Sequence, residues 1–246
     1  MKKAIINEIK QRLKATAPDL TDEQIKRRNK ILNSFNPDFF GYGHKVADLE
    51  KLARTIENKY ECTYEDAVKI FNTLISSNIH EEKFISFLFI NRFKRYFDEE
   101  IVRIYREALE NYCDSWAVCD SSIIKVLGPF IAKKLKKEKA YDIISEWSKS
   151  DNIWIRRASL VIFIKHVMIT KKFEKDFLSN LVDALAKDSE EYVQKAIGWL
   201  LKTCSQYAQN YIFGYLMDRK DLFSRMVLRT ATEKLSKELR TKILEK

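Results

Sequence analysis

The chain has 246 residues, a length that suits one large domain or one continuous repeat array. Hydrophobic residues make up 46% and charged residues 33%, a composition that excludes a disordered chain. The sequence holds only five Gly and three Pro, which argues against a β-sandwich or barrel, because such folds need a turn about every 8–12 residues. Lys and Arg outnumber Asp and Glu by 45 to 35, and the resulting charge of +10 favours a polyanionic partner, although solvated helix faces rich in Lys would give the same balance.

The start of the chain carries charge throughout. Residues 1–14 lack the apolar stretch of a secretory signal. No window approaches the roughly 18 uninterrupted apolar residues of a membrane-spanning helix. We therefore expect a cytoplasmic protein that makes no contact with a membrane.

Apolar residues recur every three or four positions along nearly the whole chain, as in amphipathic helices. The clearest stripes, in chain order, are Ile5, Ile9 and Leu13; Ile70, Leu74 and Ile75; Phe84, Leu88 and Phe89; and Leu178, Leu181, Val182 and Leu185. Polar residues typical of helix N-termini occur at residues 21–23, 63–66 and 188–190. The pattern predicts an all-α protein with short polar connections.

Two breaks interrupt the helical pattern. Residues 36–43 hold one of the three prolines and two of the five glycines, which predicts a loop. The dipeptide at residues 128–129, Gly-Pro, should end one helix and open the next. No step in composition marks a domain boundary, so we predict a single domain over residues 1–246.

A repeat of 38 residues links the middle of the chain to its end. Residues 152–158 (NIWIRRA) resemble residues 190–196 (EEYVQKA), and a weaker copy begins at Asp114. A period of about 38–40 residues built from paired helices is typical of HEAT-like solenoids, in which each pair buries its apolar face against its neighbours. The clearest repeats span residues 80–235, and residues 1–60 are atypical.

Cysteine and histidine give no sign of a metal site or a nucleophile. The sequence holds four cysteines, none in a C-x-x-C pair and none with His at metal-ligand spacing: Cys62, Cys113, Cys119 and Cys204. We predict that they are reduced and fill gaps in the core. The three histidines stand alone, without a Ser, Cys or Asp arrangement that indicates a relay: His44, His80 and His166.

Three segments stand out from the repeat pattern. Trp116 and Asp120 are four residues apart, residues 150–157 read SDNIWIRR, and residues 194–199 read QKAIGW. In this order and at these separations, the segments resemble those of the HEAT-repeat DNA alkylation repair enzymes, the AlkD-type alkylpurine DNA glycosylases. The resemblance covers about residues 20–235. The last two segments are fairly specific, whereas W-x-x-x-D alone would be a weak signal.

The resemblance implies a fold and an activity. The fold would be a right-handed superhelix of helical pairs with a concave cleft that binds duplex DNA. The activity would be hydrolysis of the N-glycosidic bond of cationic N3- or N7-alkylated purines by a monofunctional glycosylase. The lesion would stay stacked, whereas most glycosylases flip the base into a pocket. The resemblance implies no metal and no cofactor, and we expect a monomer.

The family pattern also implies roles for individual residues. A cationic alkylpurine leaves as a neutral base, so the enzyme needs only to stabilise positive charge on the deoxyribose and to place a water, and Asp120 would do both. Trp116 and Trp199 would flank the lesion, where an indole can attract a cation by roughly 0.5–2 kcal/mol. Arg157 would hold a backbone phosphate with its planar guanidinium.

Further basic residues are candidates for phosphate contacts. Arg156 adjoins Arg157. Three lysines lie on repeat helices that are expected to line the cleft: Lys165, Lys195 and Lys202. The dense basic cluster at residues 133–139 (KKLKKEK) is either a solvated helix end or a further surface that contacts phosphate.

The residues of the first segment also have ordinary structural interpretations. Trp116 and Trp199 could be core residues, and Asp120 could be the N-cap of a helix. Asp114 is an equally good cap for the helix that carries Trp116, which would place Asp120 inside that helix. An Asp inside a helix beside apolar residues has a poor structural reason to be there.

The N-terminal region departs from the family pattern. Relatives have an early helix with a Tyr aimed at the cleft, followed by a loop that ends in L-G-[IV]-x-x-P. Residues 27–35 contain no Tyr, and residues 39–46 lack that loop sequence. Tyr42 could reach the cleft from the loop instead. Without it, the aromatic surroundings of the lesion would lack one wall.

Two other functions fit the same sequence. A non-catalytic HEAT-like DNA-binding scaffold would bind duplex DNA without releasing a base, and the N-terminal departure supports it. A protein-interaction scaffold would bind no DNA at moderate salt, and Trp116 and Trp199 would then be buried in its core.

Overall fold

The fold of this chain is helical from end to end. A computed structural model describes residues 1–32 and 34–245, and Asn33, which belongs to the stretch that departs from the family pattern, lies outside them together with Lys246. Within the described ranges there is no strand, and β-type pairing is limited to an isolated bridge between Phe40 and Ile79. The predicted all-α class is confirmed. None of the described helices combines the length and apolar character needed to cross a membrane.

The contacts divide the chain into two compact units, Met1–Leu127 and Gly128–Lys246. The boundary lies at the Gly-Pro dipeptide of residues 128–129. No loop separates the helical segments there, so the predicted break is a change of helix type and not an end of helical structure. A π-helical turn, Ile123–Leu127, ends the first unit, and an α-helix that begins at Gly128 opens the second. A division by contacts does not test whether residues 1–246 form a single domain, so that statement stays a prediction.

The first unit contains seven α-helices in its described residues: α1 (Lys2–Ala15), α2 (Asp22–Leu32), α3 (Val46–Lys59), α4 (Tyr64–Ile75), α5 (His80–Ile90), α6 (Glu100–Tyr112) and α7 (Trp116–Ser122). A 3-10 helix, Asn91–Tyr96, follows α5. Helix α5 packs against α3, α4 and α7, and its residues after His80 are buried on every face. The predicted stripe on α1 is fully buried, so the helical periodicity identified core residues correctly.

Polar caps explain where two of these helices begin. Thr21 precedes α2, where its backbone N–H donates to Gln24 Oε1 at 2.9 Å and its hydroxyl accepts from the Gln24 N–H at 3.3 Å. Thr63 and Asp66 form the same reciprocal pair at the start of α4, at 3.2 and 3.4 Å. Each pair satisfies backbone groups that a bare helix end leaves unbonded. The predicted helix starts at residues 21–23 and 63–66 are confirmed.

A charged contact ties α1 to the end of α3. Glu8 Oε2 accepts from Lys59 Nζ at 2.7 Å and from the Tyr60 hydroxyl at 2.5 Å. The hydrogen bonds from Lys59 and Tyr60 lower the pKa of Glu8 from 4.5 to about 2. The folded state therefore favours the ionised form of Glu8.

We expect the substitution Glu8→Gln to destabilise the protein at neutral pH and to destabilise it less in acid. Because folding lowers the pKa of Glu8, its contribution is complete above pH 4.5 and is lost as the pH falls towards 2. The difference in urea midpoint between wild type and variant should therefore shrink from pH 7 to pH 3. Glu61→Gln, at an exposed position outside the helices, is the control, and a difference that stays constant with pH would contradict the assignment.

The second unit contains eight α-helices in its described residues: α8 (Gly128–Lys134), α9 (Lys137–Ser148), α10 (Ile153–Thr170), α11 (Lys175–Leu185), α12 (Glu191–Ser205), α13 (Gln209–Asp218), α14 (Arg225–Ala231) and α15 (Lys237–Leu244). A 3-10 helix, Lys220–Leu222, precedes α14. Helix α10 packs against α8, α9 and α12, and α12 packs against α14.

The helix starts carry the predicted repeat. Helices α9 and α11 begin at Lys137 and Lys175, 38 residues apart, and α10 and α12 begin at Ile153 and Glu191, again 38 residues apart. The two helical pairs therefore repeat with the period read from the sequence. The prediction of paired-helix repeats is confirmed for this unit.

Candidate functional site

Trp116 and Asp120 lie one turn apart on α7. Residues four apart on a helix share a face. Ser115 is the N-cap of α7, so Asp120 lies inside the helix and is not its cap. Asp120 is only 8% exposed, whereas Trp116 is half-buried. The pair thus combines a nearly buried carboxylate with an indole that solvent can reach.

The turn before α7 is held by a buried ion pair. Lys83 Nζ lies 2.9 Å from Asp114 Oδ2 and donates to the Tyr112 carbonyl at 2.6 Å. The predicted cap of α7 by Asp114 is wrong: the N-cap is Ser115, and the Asp114 carboxylate instead pairs with the ammonium of Lys83. A buried carboxylate needs such a partner, because an uncompensated charge in the interior is strongly destabilising.

The indole of Trp116 is oriented by the end of α2, which precedes the loop at residues 36–43. Its Nε1–H donates to the Ile31 carbonyl, at the end of α2, at 3.0 Å. Close by, the Phe35 N–H donates to the Asp114 carbonyl at 2.8 Å. These hydrogen bonds join the two segments that flank residue 33 to the turn that carries Trp116. The ring of Trp116 is therefore positioned by backbone groups rather than by side-chain packing alone.

Sequence reasoning gave no role to three consecutive charged residues at the start of α5. Glu81, Glu82 and Lys83 are all buried. Glu81 accepts from the backbone N–H groups of Tyr42 and Gly43 at 2.7 and 2.6 Å, which holds the loop against α5. A signal was present in the sequence, because this charged triplet directly precedes an apolar run that leaves no polar face.

The loop at residues 36–43 is confirmed, and it is rich in aromatic contacts. The ring of Tyr42 meets the ring of Phe40 edge-on at 5.3 Å and that of His44 at 6.0 Å. Burial raises the pKa of Tyr42, and the charges of Glu82 and Glu81 raise it further. Tyr42 is therefore a neutral phenol at pH 7. Contact between Tyr42 and DNA stays a prediction.

In the second unit, the segment SDNIWIRR builds the start of α10. Asn152 is the N-cap, and its Oδ1 accepts from the backbone N–H groups of Trp154 and Ile155 at 2.8 and 3.3 Å. Arg156 Nε donates to Asp188 Oδ2 at 2.6 Å, and Arg156 Nη1 donates to the carbonyl of Ser150 at 2.9 Å. Much of this segment thus serves the fold, and Arg156 joins the turn before α10 to the turn before α12.

Arg157 lies inside the protein. It is 5% exposed, and Nη1 donates to the Tyr192 carbonyl. This hydrogen bond links α10 to the first turn of α12. The role of Arg157 as a phosphate anchor stays a prediction.

Residues of the segment QKAIGW also make contacts that position helices. Gln194 Nε2 donates to the Ala186 and Asp188 carbonyls at 2.9 and 3.0 Å, which caps the end of α11. Gly198 lets α12 approach α14, because a Cβ at this position would lie 3.0 Å from Thr230 Cβ. Trp199 follows and is half-buried. The first residues of the segment position a helix, and its last residue presents an aromatic ring.

The lysines predicted to contact DNA differ in their surroundings. Lys195 is exposed and pairs with Glu191 at 2.7 Å. Lys202 is half-buried and pairs with Glu233 at 2.8 Å. Lys165 is half-buried. Both ion pairs are near the surface, where such pairs are weak and a phosphate could replace the carboxylate.

The predicted site residues fall into the two units. Trp116 and Asp120 lie together in the first unit. The others lie in the second: Arg156, Arg157, Lys165, Lys195, Trp199 and Lys202. A protein-interaction scaffold predicts that Trp116 and Trp199 are buried in the core. Both are only half-buried. Their contacts with DNA stay predictions.

The four cysteines are free thiols in this structure. Cys119 and Cys204 are buried, as predicted for core residues, whereas Cys62 and Cys113 are half-buried. Burial raises the pKa of Cys204 well above its usual range, so this thiol stays protonated and unreactive.

The comparisons with family models and with solved structures agree on one family. A family model described as DNA alkylation repair enzyme matches residues 9–235. A structure described as a predicted DNA alkylation repair enzyme from Enterococcus faecalis is similar, with a TM-score of 0.74 and 17% identity over 90% of this chain and 100% of that one. The crystal structure of AlkD2 from Streptococcus mutans is similar with a TM-score of 0.59 and 21% identity, over 88% and 100%. No curated protein matches.

Proposed function

Because this chain belongs to the DNA alkylation repair enzyme family, as its sequence segments predicted, we propose that it is a monofunctional alkylpurine DNA glycosylase. Its substrate is duplex DNA that contains a cationic N3- or N7-alkylated purine. It hydrolyses the N-glycosidic bond with water, releasing the modified base and leaving an abasic site. The lesion stays stacked during the reaction, and the protein acts as a monomer.

The observation that carries this proposal is the pairing of Trp116 with Asp120 on one face of α7. A carboxylate inside a helix, nearly buried and beside a solvent-accessible indole, has no capping role. The Trp116 indole donates to a backbone carbonyl, and the buried ion pair of Lys83 and Asp114 holds the turn before α7, so both contacts fix where this helix begins. Such preorganisation is what a site needs to stabilise a charge that develops during a reaction.

The chemistry follows from the charge of the substrate. The alkylated purine is already a cation, so its departure as a neutral base needs no general acid. Positive charge grows on the deoxyribose as the bond breaks, and the Asp120 carboxylate stabilises that charge. The same carboxylate orients a water for attack and takes up its proton. Low exposure strengthens this interaction, because less water screens it.

The residues of the second unit have supporting roles in this proposal. Trp199 offers a half-exposed indole that can contact the lesion or a neighbouring base through its π face. Arg157 anchors a backbone phosphate through its planar, permanently charged guanidinium. The net charge of +10 supports attraction to duplex DNA.

One observation favours the alternative of a non-catalytic DNA-binding scaffold. Asp120 and Arg157 are 8% and 5% exposed, and Arg157 already bonds to a backbone carbonyl. A protein that kept these residues for stability would bind DNA through its exposed lysines. It would release no base.

Base release separates the two candidates. The wild-type protein is incubated with methylated duplex DNA, and free 7-methylguanine and abasic sites are quantified against a protein-free control. The glycosylase proposal predicts equal amounts of free base and abasic sites, well above spontaneous loss. The scaffold alternative predicts duplex binding with base loss no faster than in the control.

Binding to the duplex should depend steeply on salt, and Lys165 should contribute to this dependence. Each phosphate that a protein neutralises adds about 0.9 to the slope of log K against log salt. We expect Lys165→Ala to reduce the slope by about that amount. The exposed Lys3 on α1 supplies a control, Lys3→Ala. Equal slopes for Lys165→Ala and wild type, measured by fluorescence anisotropy, would remove Lys165 from the interface.

A further inference from the structure

The second unit contains a cavity whose lining residues include neither Trp116 nor Asp120. A cavity of about 600 Å³ opens in the second unit at the C-terminal end of α10. Its walls come from the end of α8, the starts of α9 and α11, and the residues that follow α12. His166 in this cavity lies nine residues after Arg157 on α10, which is roughly 14 Å along the helix axis. The cavity is therefore distinct from the proposed phosphate anchor.

The lining of the cavity is strongly basic. Lys137, Lys171, Lys172 and Lys175 all line it, and Glu174 supplies the carboxylate among the described lining residues. Glu174 Oε1 pairs with Lys137 Nζ at 2.9 Å. Three lysines therefore remain to attract an anion. The basic cluster at residues 133–139 overlaps this rim, because Leu135 and Lys137 both line the cavity.

The start of α11 adds backbone donors to the same wall. Glu174 is the N-cap of α11, and its side chain makes no capping hydrogen bond. The first N–H groups of a helix have no partners within the helix and favour anions. Lys172 and Lys175 flank this helix start, and Lys175 Nζ lies 5.1 Å from the centre of the Tyr211 ring. Lys172 and Lys175 therefore line the cavity beside the start of α11.

Aromatic rings form the apolar part of the lining. Tyr141, Phe173 and Tyr207 line the cavity. Tyr141 is fixed by stacking on Phe177, with ring centres 4.0 Å apart. Phe173 is half-buried and Tyr207 is 39% exposed, so both offer accessible ring surface. A planar group can stack on such rings whatever its hydrogen-bonding pattern.

A buried histidine supplies an independent sign that the cavity takes a polar ligand. His166 lines the cavity and is 7% exposed, and its Nδ1 has no hydrogen-bond partner among residues 1–32 and 34–245. Its ring packs against Tyr141 at 5.7 Å and Phe163 at 6.1 Å. Burial lowers the pKa of His166, so the ring is neutral at pH 7 and can either donate or accept one hydrogen bond. Buried polar atoms are seldom left without a partner.

We propose that this cavity binds a phosphate-bearing nucleotide. The phosphate contacts Lys172, Lys175 and the N-terminus of α11, the base stacks on Tyr207, and His166 Nδ1 bonds to a polar atom of the ligand. The cavity volume lies within the range of small-molecule sites, about 300–1,000 Å³. The nucleotide is either a free mononucleotide or the 5′-phosphorylated end of a DNA strand. This site does not depend on the proposed glycosylase reaction.

Calorimetric titration of the full-length protein tests the proposal. The probes are dGMP, deoxyguanosine, inorganic phosphate, and a short single-stranded oligonucleotide with a 5′-phosphate or a 5′-hydroxyl. We expect dGMP to bind at least tenfold more tightly than deoxyguanosine, which lacks the phosphate, and than inorganic phosphate, which lacks the base. Comparable binding of the 5′-phosphorylated oligonucleotide would identify strand ends as the source, and binding of dGMP alone would identify free nucleotides.

Matched variants assign the binding to the cavity. The double substitution Lys172→Ala and Lys175→Ala should weaken dGMP binding at least fivefold, whereas Lys187→Ala, at an exposed position outside the cavity, should not change it. His166→Phe removes the ring nitrogen and should also weaken binding, whereas His166→Asn keeps a polar atom near the position of Nδ1 and should bind more tightly than His166→Phe. Thermal unfolding of each variant verifies the fold.

Several results would overturn the proposal. Equal affinity for dGMP and deoxyguanosine would exclude a phosphate site, and equal affinity for dGMP and inorganic phosphate would exclude base stacking. Binding that is unchanged in the double lysine variant would place the ligand elsewhere. The same variant should release 7-methylguanine at the wild-type rate, so that a failure of the cavity proposal is distinguishable from a failure of the proposed glycosylase activity.

Discussion

Replacing Asp120 with Asn should slow release of 7-methylguanine from methylated duplex DNA by at least about a hundredfold. Removing one preorganised group that stabilises transition-state charge typically costs about 10²–10³ in rate. Asn has nearly the same shape but no charge, so it can neither stabilise the developing cation nor accept a proton from water. The variant should still bind the duplex, because binding depends mainly on basic residues.

The matched control for this substitution is Asp142→Asn on α9. Asp142 is exposed and lies in the second unit, so the same chemical change there should leave release unaffected. Thermal unfolding of both variants separates a catalytic loss from a folding defect. Unchanged release by Asp120→Asn, with the fold intact, would remove Asp120 from the mechanism.

Replacing Lys83 with Met should lower the free energy of unfolding by about 3–5 kcal/mol. Breaking a buried ion pair by removing one partner leaves the other charge uncompensated, which has about this cost. Lys83 is 4% exposed and Asp114 is 9% exposed, so water cannot replace the lost ammonium. Because this pair holds the turn before Trp116, the variant should also lose base release.

A double-mutant cycle shows whether the pair itself is responsible. Lys83→Met combined with Asp114→Asn removes both charges and should recover part of the stability that Lys83→Met loses. The exposed pair of Arg103 and Glu107 provides the surface control, since Arg103→Met should have little effect. Additive losses in the double variant, measured by urea denaturation, would show that Lys83 and Asp114 do not interact.

The fold was predictable because local patterns and the tertiary structure agree. Stripes such as Leu178, Leu181 and Leu185 are buried, and the 38-residue spacing reappears in the helix starts of the second unit. The buried face of a helix consists of apolar residues spaced three and four positions apart, and this spacing can be recognised in a single sequence. The division of the chain between residues 127 and 128 coincides with the Gly-Pro dipeptide, but there the sequence predicted only a break between helices and no boundary between units.

The candidate site was only partly predictable. The position of Asp120 inside a helix, one turn after Trp116, follows from the sequence and is observed. The half-burial of Trp116 is known only from the structure. The role of Asp114 does not follow, because its partner Lys83 is 31 residues away in sequence. A local rule selects Asp114 as a cap, and a long-range ion pair overrides that rule.

The most specific segments also prove to be the most structural. Asn152 caps α10, Arg156 joins two turns, and Gln194 caps α11. Residues in such family-specific segments can be required for the hydrogen bonds that build the repeat as well as for contacts with a substrate. It marks the family reliably, but it does not by itself distinguish Arg156 from Arg157 as a ligand for DNA.

The most direct test of the central claim is a single-turnover comparison of wild type and Asp120→Asn on methylated duplex DNA. The protein is in excess and saturating, so binding cannot limit the rate and the difference reports the chemical step. We predict release of 7-methylguanine by wild type far above spontaneous depurination, and release by Asp120→Asn close to the spontaneous rate. Saturated binding by wild type with release no faster than spontaneous depurination would contradict the account.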